Sequence, residues 1–203
     1  MFRHGAILLA AVVIAGPAAQ QPDPPQDEIP VRVETTLGNI DLAIDIRRAP
    51  ITAANFLRYV DGGFYDGGMI NRAVRADNTM RHDVKIEVIQ VQIDAARRRQ
   101  QFPPIPLERT SVTGLKHVDG AVSMARSGPD TATASFSIVI GDQPEMDHGG
   151  RRNPDGQGFA VFGRVVNGMD VVRAIQRSPT GQRGAYGTET LDPPVKILKA
   201  YRR

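Results

Sequence analysis

With 203 residues the chain is long enough for one ordinary domain with a sizeable core and short for two. Its 25 Lys and Arg against 22 Asp and Glu leave a net charge of +3, with bases interleaved among acids; this argues against a nucleic-acid partner, and the densest run, Arg97-Arg98-Arg99, reads as a solvated surface. No cysteine is present, which excludes disulfides, thiolate metal sites, cysteine nucleophiles and a lipid-modified N-terminal cysteine.

Arg3 and His4 precede an apolar run from Ala6 to Ile14, and the small residues Gly16, Ala18 and Ala19 follow. This is the pattern of a secretory signal peptide over 1–19, the run being shorter than the roughly 20 apolar residues of a membrane span. The expected location is periplasmic or secreted, with no membrane association after cleavage. Residues 20–30 contain Pro22, Pro24, Pro25 and Pro30 and read as a proline-rich spacer, which leaves 31–203 as the domain.

From Val31 the pattern alternates: Val31, Val33 and Thr35, a turn at Leu37-Gly38-Asn39, then Ile40, Leu42 and Ile44, which predicts a hairpin. Pro50 opens a stretch with Ala53, Phe56, Leu57 and Val60 at helical spacing, closed by Gly62-Gly63, and so predicts a helix. Strands are expected at Met69 to Val74 and Ile86 to Ile93. Asp94 to Thr113 carries Pro103, Pro104 and Pro106 and reads as a long surface connection. Further strands are expected at Ala121 to Ala125, Phe136 to Ile140 and Phe159 to Val165, with a Gly- and Pro-rich loop over Gly141 to Gly158. A second helix fits Met169 to Gln176, and a last strand Val195 to Tyr201. About eight strands and two helices point to a mainly β fold, an antiparallel barrel or sandwich with its ends plugged by helices.

Two constellations in these segments suggest other chemistry. Asp147-His148, near Asp142 and Glu145, has metal-ligand residue types, but one His in a flexible-looking loop makes a solvated cluster the better reading. Ser123 or Ser135 with His117 or His148 are the residue types of a hydrolase pair; neither serine stands in a Gly-x-Ser-x-Gly elbow, and the reading is set aside.

Five stretches in order resemble the cyclophilins: Val33-Glu34-Thr35-Thr36-Leu37-Gly38-Asn39-Ile40, Ala49-Pro50-Ile51-Thr52-Ala53-Ala54-Asn55-Phe56, Gly63-Phe64-Tyr65-Asp66-Gly67, Gly120-Ala121-Val122-Ser123-Met124-Ala125-Arg126, and Val161 through Val172 with its Phe162-Gly163 and Gly168-Met169 pairs. The resemblance implies a closed eight-stranded antiparallel barrel capped by two α-helices. It also implies peptidyl-prolyl cis-trans isomerase activity on unfolded or extended proline-containing polypeptides, with no cofactor and no metal; the chain is expected to be a monomer.

Rotation about an X–Pro bond faces a barrier of roughly 20 kcal/mol, because the amide nitrogen shares its lone pair with the carbonyl. A cationic hydrogen-bond donor at the prolyl nitrogen, beside a water-poor pocket for the ring, favours the twisted form over the planar one. Lowering the barrier by about 7 kcal/mol gives roughly a 10⁵-fold acceleration. By resemblance Arg72, in Ile70-Asn71-Arg72, is that donor, and Gln90 holds it and the substrate backbone. Val88, Ser137, Met146 and Phe159 fall in register with the proline pocket, Val88 and Phe159 being open also to a barrel-core role, which at Phe159 is the preferred reading. Ala125, Arg126 and Ser135 fall where the family contacts the substrate backbone. The family often has two aromatics where this chain has Phe136-Ser137, so a shallower, wetter pocket and weaker activity are expected. A cyclophilin-fold binding module or chaperone with vestigial activity is the alternative.

Overall fold

The structure is a computed structural model and describes residues 27–182 and 184–203. The expected leader and most of the spacer lie outside the described residues.

Among the described residues nine strands and three α-helices follow in order: β1 (Glu28–Thr35), β2 (Gly38–Asp45), α1 (Pro50–Asp61), β3 (Met69–Val74), β4 (Val88–Gln92), α2 (Thr110–Thr113), β5 (Ala121–Met124), β6 (Phe136–Val139), β7 (Ala160–Asn167), α3 (Met169–Gln176), β8 (Thr180–Gly181) and β9 (Thr190–Arg202). Eight of the strands form a ring in the order β1-β2-β7-β5-β6-β4-β3-β9, which closes where β9 pairs back with β1; every pairing is antiparallel. The two-residue β8 hangs on β9 outside the ring. Closure leaves the barrel with no exposed sheet edge.

The spacer ends earlier than expected. Glu28 already pairs with Asp45, so Glu28, Ile29 and Pro30 belong to the barrel. Pro30 is tolerated because its carbonyl still accepts the Arg203 N–H at 3.0 Å, at the end of the ladder with β9.

Helix α1 starts with Pro50 in its first turn, buries Ala53, Phe56, Leu57 and Val60, and stops at Gly62. Phe56 meets Phe136 and Phe162 with ring centroids 5.2 Å away, which ties this helix to two strands of the barrel. At the far end of β2, α3 turns in at Gly168, whose φ of +94° and whose 2.3 Å gap between an added Cβ and the Asn39 carbonyl admit only glycine. Val172 and Ile175 on α3 are buried. The two helices therefore sit at opposite ends of the ring.

The connection from Asp94 to Thr113 is not a purely surface loop. Its prolines forbid a long helix, and what forms is a 3₁₀ turn over Ala95–Gln100 and the single-turn α2. Proline does not forbid packing in an extended form: Ile105 bridges to Ala132 and is buried with Leu107, and Phe102 packs against the core and Tyr59.

Strand alternation divides the side chains into two sets. One fills the barrel, with Ile89 and Val91 of β4, Val122 and Met124 of β5, Phe136 and Ile138 of β6, and Phe162 of β7. The intervening Val88, Ala121, Val139 and Val161, with Val74, Ile86 and Met146, form a smaller apolar cluster on the outer face. That second cluster is the foundation of the site.

Candidate active site

Simple alternation puts residues 70 and 72 on one face, yet Ile70 is in the barrel core and Arg72 is on the outer face. The cause is a β-bulge: Ile70 pairs with Val91 and Arg72 with Gln90, so Asn71 is the extra residue opposite one step of β4. The bulge turns Arg72 out beside Gln90 on the outward row of β4, and leaves the buried Oδ1 of Asn71 with no partner.

Three groups hold the guanidinium of Arg72. Its Nε and Nη2 donate to Oε2 of Glu189 at 2.8 and 2.6 Å, and Nη1 donates to Oε1 of Gln90 at 3.0 Å. The Tyr186 ring lies 4.8 Å from its Cζ. Glu189 is wholly buried and also accepts the Met80 backbone N–H at 2.9 Å, while the Arg72 side chain keeps 20% of its surface exposed. Three of five guanidinium N–H groups are engaged, and two remain free to meet another molecule.

Two hollows meet at this arginine. The first, about 300 Å³, has Ile86, Val88, Met146 and Phe159 as its apolar lining and Ser123 and Ser137 among its polar groups. The second, about 360 Å³, is more polar, with Gln92, Thr131, Thr133, Ser135 and Tyr186. Arg72, Gln90, Ala125 and Arg126 border both. A further hollow of about 250 Å³ lies near Leu115, Ala121 and Val161, but its Arg48 and Arg164 are already paired with Asp45 and Glu28.

The nine residues singled out in the sequence thus fall along one continuous depression. Val88, Ser137, Met146 and Phe159 are in the first hollow, Ser135 is in the second, and Arg72, Gln90, Ala125 and Arg126 are at the junction. Phe159 is half-buried beside the outer cluster rather than inside the barrel, which removes its core reading. Gln90 is not an edge-strand side chain facing water, since β4 is flanked by β3 and β6 and Gln90 is buried. The guanidinium of Arg126 is tied across the depression: Nε donates to the Gly158 carbonyl at 2.7 Å, and Nη1 and Nη2 donate to Asp155 at 2.7 and 2.9 Å. That pairing holds the Asp155 carboxyl at about 2. Ser135 donates to Gln92 at 2.5 Å, and Gln92 donates to the Tyr186 hydroxyl at 3.2 Å.

Sequence reasoning missed Glu189, Tyr186 and Arg152, and set aside a real contact. Ser123 Oγ lies 2.8 Å from Nε2 of His117, whose Nδ1 lies 2.7 Å from Asp147 Oδ1. With Asp147 accepting from Nδ1–H, Nε2 accepts from the serine hydroxyl. Burial pushes the Asp147 carboxyl up, but the hydrogen bonds from His117 and the charge of the nearby Lys116 outweigh it and hold the carboxyl below its ordinary range. The order of groups is that of a hydrolase triad, but the setting is not. Ser123 is 1% exposed and sits mid-strand, paired with Ser137 on one side and Val161 on the other, rather than on a sharp outward turn. The acidic residues weighed as metal ligands, and read instead as a solvated cluster, are engaged elsewhere: Asp147 serves His117, Glu145 pairs with Arg151, and Asp142 accepts the Asp119 N–H.

Comparison with known proteins accords with this geometry. The family model described as cyclophilin type peptidyl-prolyl cis-trans isomerase/CLD matches residues 30–202. Peptidyl-prolyl cis-trans isomerase A of Dickeya dadantii is 34% identical over 174 residues, 83% of this chain and 84% of that protein. A peptidyl-prolyl cis-trans isomerase of Acinetobacter baylyi is 31% identical over 199 residues, 98% and 94% of the two chains. Among solved structures, a cyclophilin type peptidyl-prolyl cis-trans isomerase of Cryptosporidium parvum superposes with a TM-score of 0.67 at 17% identity, covering 87% of this chain and 98% of that one. The chain belongs to the cyclophilin-type peptidyl-prolyl cis-trans isomerases.

Proposed function

We propose that Arg72 is the catalytic donor of this isomerase and that exported polypeptides are its substrates. The observation that carries the mechanism is the position of Arg72: a cation fixed by Glu189 and Gln90, with two N–H groups free, at the lip of an apolar hollow. A proline ring seated over Val88, Met146 and Phe159 brings its nitrogen to this lip. As the X–Pro bond twists, that nitrogen becomes pyramidal and recovers its lone pair, and a donated guanidinium hydrogen bond stabilises that form over the planar one. Preorganisation by a buried carboxylate means that the donor does not have to be reoriented during the reaction. The polar second hollow takes the extended chain on the other side of the bond. Export rests on the basic and apolar N-terminal run of 1–19 and its small residues.

The test is isomerisation of a short Ala-Pro peptide measured by exchange NMR, for wild type and Arg72→Ala. Loss of one such donor typically lowers the rate by about 10²- to 10³-fold. An Arg72→Ala rate equal to wild type rejects the mechanism. Equal, near-background rates with undiminished suppression of client aggregation instead favour a peptide-binding module, a reading supported by Ser137 standing where relatives often have an aromatic wall. Export is tested by N-terminal sequencing of the protein recovered from the periplasm; a chain that stays in the cytoplasm with Met1 intact rejects it.

A further inference from the structure

Four arginines border the first hollow: Arg72, Arg81, Arg126 and Arg152. Three have their own carboxylate, with Arg72 on Glu189 at 2.6 Å, Arg81 on Asp83 at 2.6 Å and Arg126 on Asp155 at 2.7 Å. Arg152 has none among the described residues, and no Asp or Glu borders the hollow.

Arg152 is nevertheless 91% removed from solvent, being 9% exposed. Its backbone is pinned on both sides: its N–H donates to the Glu145 carbonyl at 2.9 Å and its carbonyl accepts from Arg81 at 2.6 Å. Its side chain makes one hydrogen bond, from Nη1 to the Val84 carbonyl at 3.0 Å. Of five guanidinium N–H groups, four therefore have no protein acceptor. Nε and Nη2 are not among the fully enclosed, unpartnered polar atoms of the described residues, which are Arg58 Nε and Asn71 Oδ1, so both keep some solvent access, and Arg152 lines the hollow. Burial and the neighbouring charge of Arg72 both push the Arg152 guanidinium below its ordinary value, the attraction of Glu189 and Asp83 notwithstanding. A largely desolvated cation without a paired counter-ion is unfavourable, and an incoming anion relieves it.

We propose that Arg152 makes this hollow a carboxylate-accepting subsite, so that the enzyme prefers X–Pro segments whose proline is followed by an acidic residue or ends the chain. The substrate identity rests on the isomerase reading above; the anion preference rests on Arg152. Arg72 and Arg152 both line one cavity of about 300 Å³, so an anion that reaches Arg152 while the proline nitrogen is at Arg72 is carried by the proline itself or its next neighbour. A guanidinium binds a carboxylate through paired, charge-assisted hydrogen bonds, which a side-chain amide of the same shape cannot match.

The experiment uses two peptide pairs: one ending in Ala-Pro as the free acid or the amide, and one containing Ala-Pro-Glu or Ala-Pro-Gln internally. Isomerisation is read by exchange NMR with no coupling protease, and the uncatalysed rate of each peptide is subtracted, so that the remaining dependence on peptide charge belongs to this enzyme. Wild type is expected to show kcat/KM about tenfold higher on the charged member of at least one pair, as a single charge-assisted bond implies. The pair that responds identifies the source of the carboxylate. In Arg152→Gln the ratio is expected to fall to about one, with Arg152→Lys retaining part of it. A wild-type ratio near one, or an unchanged ratio in Arg152→Gln, overturns the proposal. Because Arg152 also holds Val84, thermal unfolding of each variant accompanies the rates, and a misfolded Gln variant leaves the wild-type ratios and the Lys variant to decide. If wild type isomerises no peptide, the isomerase reading fails; chemical-shift titrations with the same acid and amide pairs then still read the preference, and equal affinities reject it.

Discussion

Glu189 is the charge on which Arg72 depends, and the two are 117 positions apart in sequence. Removing the carboxylate leaves a mostly buried guanidinium with only an amide and a ring as partners, whereas removing both charges leaves neither uncompensated. Glu189→Gln is therefore expected to lose about 3–5 kcal/mol of unfolding free energy in a denaturant titration. The pair Glu189→Gln with Arg72→Gln is expected to recover part of that stability but none of the isomerase rate. A single variant as stable as wild type contradicts the buried-pair argument. At this scale the sequence was half readable. Arg72 and Gln90 lie in register with motifs that a reader recognises, and Gln90 stands out as an amide in an apolar strand. Glu189 and Tyr186 lie in a loop of ordinary composition, Gly184 to Glu189, and only the pairing of β3 with β9 brings them to the arginine.

The elements place these residues by devices that differ in legibility. Helix α1 is readable from a proline start, a glycine stop and an apolar stripe, and α3 from its apolar stripe, all of which act locally. The bulge at Asn71 is not, since nothing in Ile70-Asn71-Arg72 signals that two residues face one on β4. The link between β5 and the loop carrying Met146 was visible as residue types but not as a contact. Its Ser123, His117 and Asp147 lie 30 residues apart at the extremes and are joined by the turn that returns the chain to β5. Asp147 adjoins Met146, which lines the first hollow. Ser123→Ala deletes the hydroxyl that Nε2 of His117 accepts from and strands a buried acceptor, which is expected to cost about 1–3 kcal/mol. The same serine is expected to remain unlabelled by a fluorophosphonate probe under native conditions. Stoichiometric labelling, abolished in His117→Ala, would show that the serine is an activated nucleophile after all.

For the whole molecule, a mainly antiparallel β fold, barrel or sandwich, was readable from the count and alternation of strands, and the closed barrel only from the family resemblance, because the pairing of β1 with β9 that closes it joins the two ends of the domain. Carboxylates brace the closure. Asp41 on β2 accepts from Arg32 of β1 at 2.7 and 2.9 Å, from Asn167 of β7 at 3.4 Å and from Arg203 beyond β9 at 3.1 Å. Asp45 accepts from the backbone of Arg47 and Arg48 and from the Arg48 side chain in the turn that leads to α1. The bond from Arg32 holds the Asp41 carboxyl below its ordinary value; at Asp45 burial pushes upward, but the Arg48 bonds prevail and the net direction is again down. Asp147 is lowered in the same sense. A carboxyl whose folded value lies below its unfolded one, about 3.9 for Asp, binds its proton more readily in the unfolded chain. Its contribution is complete above that unfolded value and is lost as pH falls through the folded one. The thermal midpoint is therefore expected to hold level from about pH 7 to pH 5 as far as these groups are concerned, and to fall below about pH 4. Asp41→Asn is expected to lower the midpoint at pH 7 and to flatten the acid limb, since the variant has one fewer proton to take up on unfolding. Differential scanning calorimetry across that range reads both effects. A midpoint that rises on acidification through pH 4, or an Asp41→Asn limb as steep as wild type, shows that the barrel's closure does not draw on these charges.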